Sequence, residues 1–212
     1  MIDEHFDIVF RDATIIDGTG AEPIQADLAI SADKIEAIGQ LSKATGQQNI
    51  DASEKVIAPG FIDVHTHDDN ALLVWPEMTY KTSQGVTTVI TGNCGISLAP
   101  LKWDNRTLPP PLDLLGEAYC FPDMKSYLQA LDEAPAAINS ASLCGHTTLR
   151  AGAMKDLSCA ASPKEIDAMK NNLAEALNAG AHGLSTGLAY ATAMPAPTSE
   201  VLELAELLGT ND

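Results

Sequence analysis

The chain has 212 residues, 45% of them hydrophobic and 19% charged, a composition that can bury a core in one large domain, or one and a fraction. Its net charge of −17, from 29 acidic against 12 basic residues, repels phosphate backbones and anionic lipid, so nucleic acid and membrane surfaces are poor partners. Four cysteines (Cys94, Cys120, Cys144 and Cys159) lack tight spacing and read as cytosolic thiols rather than a disulfide frame. The acidic start, MIDEHFDIVFRD, has no apolar core of the signal-peptide kind. No run approaches the roughly 18 apolar residues of a membrane span. The expected location is the cytoplasm.

Residues 1–57 read as short strands. FDIVFRDATIIDGTG carries two apolar runs before a Gly-rich turn, ADLAISADKIEAIG has a turn at Ser31–Lys34, and NIDASEKVIA closes the set. Turn signals at this spacing predict a small antiparallel β domain. The period then changes. VIAPGFIDV is an apolar run of buried-strand type, residues 71–84 have helical character, and GVTTVITGNCG is a second buried strand. The Pro-rich APLKWDNRTLPPPLD forbids regular structure. Asp123 caps a predicted helix over 123–134, which Pro135 ends, and AAINSASLCGH is a third strand. Ser162, Pro163 and Glu165 open the strongest helix, 163–179, as a capping box, and Gly180 stops it. AHGLSTG is a fourth strand, and a last helix begins near Thr198–Ser199. Residues 56–208 thus alternate strand and helix, the pattern of a parallel sheet, within a second domain expected over 58–212. Four such units are half of an eight-unit barrel, or part of an open doubly wound sheet.

The chemistry concentrates in PGFIDVHTHDDN, residues 59–70. On a strand, Asp63, His65 and His67 point to one face, at the carboxyl end where parallel α/β folds place their sites. Two imidazoles about 7 Å apart along a strand can converge on one metal ion. The next strand ends at TGNC, which puts Cys94 roughly 5 Å to the side if the strands are neighbours. Imidazole with thiolate favours zinc. His146 ends the third strand, and STGLAY brings Ser185, Thr186 and Tyr190 to the end of the fourth. His146 divides between a contact near the site and loop packing, and Tyr190 between pocket and packing. Cys120, Cys144 and Cys159 read as inert, His5 and His182 as structural. Asp68, Asp69 and Asn70 read as the turn that leaves the strand.

APGFIDVHTHDDN followed by SQGVTTVITGNCGISLAP resembles the amidohydrolase superfamily and, more narrowly, the N-acyl-D-amino-acid deacylases; GHTTLR and GAHGLSTGLAY fit the same pattern. The resemblance implies a partial TIM-like (β/α)8 barrel, about its first four βα units, with an N-terminal β domain over 1–57 that is part of a composite domain. It implies zinc, one or two ions per complete site, with His65, His67 and Cys94 as ligands. Asp63, His146 and Tyr190 are candidate contacts for substrate or around the metal. The implied reaction is hydrolysis of the amide of a small N-acyl amino acid, with an aspartate carrying a proton to the leaving amine. That aspartate and two further metal histidines are expected beyond residue 212, so the chain reads as an inactive amino-terminal part, with self-association through an exposed barrel edge. Two other readings stand beside it: a non-catalytic half-barrel acting as an interaction piece, and another amidohydrolase such as a cyclic-amide hydrolase.

Overall fold

The computed structural model describes residues 5–102, 107–116 and 120–210. The chain divides into two compact units, Met1–Gly60 and Phe61–Asp212.

The first unit is a five-stranded sheet: β1 (His5–Ile15), β2 (Ile24–Ser31), β3 (Lys34–Gly39), β4 (Thr45–Asp51) and β5 (Val56–Ile57), in the order β3-β2-β1-β4 with β5 also on β1. The two apolar runs belong to a single strand up to Ile15, with a register shift between Phe10 and Ala13 separating them. The unit is not purely antiparallel as its turn signals suggested. The β1–β2 and β2–β3 pairs are antiparallel, but β4 and β5 run parallel to β1. A side chain satisfies the connection that allows this. The Arg11 guanidinium donates to the carbonyls of Leu41 and Ala44 at 2.8 and 2.5 Å and pairs with Asp27 at 3.1 Å, so these carbonyls do not depend on a ladder. Ala13, Ile15, Ala26, Leu28 and Ala52 form one core cluster; Phe6, Val9, Ala29 and Ala44 form another.

The second unit opens with β6 (Phe61–Asp63), followed by two one-turn helices, α1 (Ala71–Val74) and α2 (Thr79–Thr82). The helical character expected over 71–84 is interrupted at Trp75–Pro76, where the proline ring and the restriction on its predecessor stop α1. Then come β7 (Val86–Thr91), α3 (Met124–Glu133), β8 (Asn139–Ser142), β9 (Cys144–Gly145), α4 (His146–Ala153), α5 (Pro163–Ala179), β10 (Leu184–Ser185) and α6 (Thr198–Ala205). Asp123 caps α3 by accepting the Ser126 N–H at 2.8 Å. Glu165 accepts both the N–H and the hydroxyl of Ser162 at the start of α5, at 2.8 and 2.7 Å, and Gly180 ends that helix in the left-handed region. Part of the Pro-rich loop, 103–106, lies outside the described residues; most of what is described there is irregular.

Strands β6, β7 and β8 pair in parallel in that order, and β9 pairs in parallel with β10. Behind them Ile96, Leu98, Leu112, Tyr127, Leu149, Met169, Leu173 and Leu204 anchor the main core. The run VIAPGFIDV is not a buried strand: β6 is three residues long and lies at the edge of its sheet, with Phe61, Ile62 and Val64 at 65%, 59% and 67% exposure. Sequence reading missed α4, whose HTTLRAGA has β-branched threonines and a glycine that disfavour helix. Packing outweighs that preference, since His146 through Ala151 are all buried. Among the described residues, no helix is long and apolar enough to cross a membrane.

Candidate metal centre

The β6 ladder stops at Asp63. His65 and His67 therefore sit in the loop beyond the strand, and strand alternation does not aim them. They converge nonetheless: their rings lie 6.0 Å apart at an interplanar angle of 74°. Cys94 reaches them from the end of β7, with Sγ 3.0 Å from His65 Nε2. One ligand atom from each of the three lies within 4.8 Å of the others, and among the described residues these three are the one grouping of this kind. Both histidines are exposed and Cys94 is half-buried. Burial, with His65 alongside, lowers the His67 pKa and favours its neutral form, which a metal ligand requires.

The Cys94 loop is shaped by close approach. Cys94 itself has φ +56°, in a turn opened by Gly92 at φ +74°. A Cβ at Gly92 would collide with the Leu143 carbonyl, and one at Gly187 with the Cys94 carbonyl, so neither position tolerates a side chain. Ser185, at the end of β10, spans the loop. Its hydroxyl donates to the Gly92 carbonyl and accepts the Gly95 N–H at 2.9 Å. Asn93, buried next to Cys94, donates to the Ile90 carbonyl at 2.7 Å and reaches the Thr66 carbonyl at 3.4 Å, tying the loop to the segment between the histidines.

The histidine loop has its own supports. Asp63 accepts the His65 N–H at 3.2 Å and pairs with Lys81 at 2.5 Å. The Lys81 hydrogen bond holds the Asp63 carboxyl below its ordinary pKa. Lys81 also lies 3.0 Å from Asp68. Burial opposes its charge, but the two carboxylates outweigh burial and raise its pKa. Asp69 is 1% exposed, and burial raises its carboxyl to about 7; its carbonyl accepts the Tyr127 hydroxyl at 3.0 Å.

Of the remaining candidates, Tyr190 is half-buried, and its pKa is raised by burial and by the nearby Cys94. The structure does not bring His146 to the donor cluster. It is fully buried, with Nε2 2.9 Å from Glu200 Oε1, which also takes Arg150 at 2.5 Å. Burial lowers the His146 pKa. Arg150 further donates to the carbonyls of Thr192, Leu157 and Cys159 at 3.0, 3.4 and 2.6 Å. Sequence reading passed over Lys81, Arg150 and Glu200, and read Asp69 only as part of the turn that 68–70 do form, without its burial. The i, i+4 spacing of His146 and Arg150 was the one available signal, visible only once 146–153 is recognised as helix.

Two imidazoles and a thiol, gathered just past the carboxyl ends of parallel strands, define the class: an α/β protein with a nitrogen- and sulfur-donor cluster at a strand-end site. Residues 48–208 match the amidohydrolase family, and the chain belongs to that family. It is 50% identical over 208 residues to D-aminoacylase of Alcaligenes xylosoxydans xylosoxydans, which covers 97% of this chain and 43% of that protein. A solved structure of D-aminoacylase, concerned with its binuclear metal centre, matches with a TM-score of 0.92 at 49% identity over 96% of this chain and 43% of that one. The N-acyl-D-glutamate deacylase of Bordetella bronchiseptica, solved with zinc and a phosphonate inhibitor, matches with a TM-score of 0.91 at 45% identity, again over 96% of this chain and 43% of that one. The chain thus spans about 43% of the length of the first of these curated relatives.

Proposed function

We propose that this chain carries one side of the metal centre of a zinc-dependent deacylase that hydrolyses the amide bond of N-acyl-D-amino acids. The observation that carries the reading is the convergence of His65, His67 and Cys94 within 4.8 Å, in a chain half-identical to D-aminoacylase. The donor set fits zinc: nitrogen and sulfur together favour it over harder cations. When bound, zinc supplies the Lewis acidity that activates water and polarises an amide carbonyl near neutral pH.

The chain's own residues hold and orient. Cys94 presents its sulfur from a turn framed by Ser185 and Asn93, Tyr190 stands near that sulfur, and the exposed imidazoles leave their far side open to a small N-acyl amino acid. Asp63 acts through the His65 amide. His146 is a structural partner of Glu200 in this reading.

The parallel pairing of β6, β7 and β8, the β9–β10 pair and the intervening helices support a partial (β/α)8 barrel in residues 61–212. The exposed edge of β6 is where another barrel strand would pair. The same edge favours a second reading, self-association of the chain, which sedimentation velocity tests. The five-stranded unit is read as part of a composite β domain. The acidic surface and the cysteine usage support a cytoplasmic location.

The test is titration of the purified chain with Zn(II) and Co(II). Wild type is expected to bind with a thiolate–cobalt absorption band, and Cys94→Ala to lose that band and stoichiometric binding. Equal binding by Cys94→Ala would sink the reading. Release of a D-amino acid but not its L enantiomer, by an enzyme that includes this chain, tests the substrate class.

A further inference from the structure

We infer that Lys81 is a positioning residue for the metal centre, and that one ammonium group sets the spacing of His65 and His67. This rests on the reading of His65, His67 and Cys94 as ligands. The ammonium lies 2.5 Å from Asp63, 3.0 Å from Asp68 and 3.4 Å from the Thr66 hydroxyl. Asp63 stands before the two histidines, Thr66 between them and Asp68 after them. The segment they bracket needs such a device, because the β6 ladder ends at Asp63 and α1 does not begin until Ala71. Gathering its two ends and its middle onto one cation closes the segment into a loop that turns both imidazoles outward.

The support itself is fixed. Lys81 lies in α2, next to Met78, which is fully buried against Leu72, Val89 and Ile138. The grip is relayed to a ligand through Asp63, which meets Lys81 with one oxygen and the His65 N–H with the other. A second tether acts on the same point: Thr66 meets Lys81 through its hydroxyl and Asn93 through its carbonyl, so the ammonium also helps set the distance from the histidines to Cys94. The ion-paired side chains are partly exposed, at 17% for Lys81, 31% for Asp63 and 15% for Asp68. Pairs of that kind add little to global stability, whereas groups behind metal ligands govern affinity.

The experiment uses the whole 212-residue chain and measures Co(II) affinity and absorption, with urea unfolding of the same samples. Lys81→Met is expected to weaken cobalt binding roughly 10- to 100-fold and to change the thiolate–cobalt band, with a small shift in the urea midpoint, and Lys81→Arg to recover most of the loss. Wild-type affinity and spectrum in Lys81→Met overturn the inference, as does a loss of binding that only tracks the unfolded fraction. If Lys81→Met does not fold, Asp68→Asn decides: a several-fold loss supports the clamp and unchanged affinity overturns it. Failure of wild type to bind cobalt through its thiol overturns the metal-centre reading itself, before any variant is compared.

Discussion

Two groups of side chains in the α/β unit contain histidine, and they differ in every respect that matters for function. His146 is fully buried, with Arg150 and Glu200, and shares one carboxylate oxygen with the arginine. His65 and His67 are exposed and face a thiol. In the first group His146 Nε2 and the Arg150 guanidinium meet on one Glu200 oxygen, while His146 Nδ1 is buried without a partner, and the three residues act as a cross-brace from α4 to α6. In the second, two imidazoles and a thiol converge within 4.8 Å of one another, with His65 Nε2 3.0 Å from the Cys94 sulfur, an arrangement that could hold a metal ion. A histidine at a strand end is therefore uninformative alone; what its nitrogens face decides its role.

The largest expected effect on stability falls on the buried group. Arg150→Met leaves the Glu200 carboxylate buried without its guanidinium and should cost about 3–5 kcal/mol, read by urea denaturation, while cobalt affinity of the folded fraction stays unchanged. Cys94→Ala should do the reverse, abolishing cobalt binding and moving stability by less than about 1 kcal/mol. If both variants damaged both properties, the two groups would be one coupled system and the contrast would fail.

A smaller effect concerns pH. Burial lowers the His146 pKa below 6.5, so below about pH 6.5 the unfolded chain takes up a proton that the folded chain refuses. Stability from this group is complete above that pH and falls as pH drops toward the folded value. His67, also lowered, acts in the same sense. Asp69, raised to about 7, acts in the opposite sense, since its folded form holds a proton that the unfolded chain has released. The expected outcome is thus a difference: between pH 7 and pH 5.5, His146→Phe should lose less stability than wild type, by thermal unfolding at both values. Glu200, whose carboxyl is held low, first contributes to pH dependence below that range. The smallest effect tests local structure away from both groups. Ser162→Ala removes the hydroxyl at the start of α5 and should cost about 1 kcal/mol, leaving cobalt binding untouched.

What could be read from the sequence was what local chemistry dictates. Helix α5 announces itself through Ser162, Pro163, Glu165 and Gly180, and α3 through Asp123. The donors His65, His67 and Cys94 stand out because their residue types are informative and two of them are a single residue apart. Strand alternation, the reason first offered for their convergence, does not apply, since the strand ends before either histidine. What could not be read depends on contacts distant in sequence. Helix α4 exists against its own propensity because its residues are buried on several sides. Lys81 carries no local signature, and its meaning comes from carboxylates 18 and 13 positions away. Glu200 looks like an ordinary acidic residue in the first turn of α6 until α4 is placed beside it. The parallel β1–β4 pairing, joining His5 to Thr45, is likewise invisible to turn signals.

The Ser185 hydroxyl, which joins the two ends of the Cys94 turn, sets an order of assembly. It closes a frame around a residue synthesised some ninety positions earlier, and Gly187 completes the same frame. Both histidines and the cysteine leave the ribosome long before the parts that fix how the sulfur is presented. A peptide spanning only residues 59–97 would contain His65, His67 and Cys94 and lack the frame that holds the Cys94 turn. The presentation of the Cys94 sulfur thus depends on residues some ninety positions downstream, and a nascent chain carries that thiol before its frame exists.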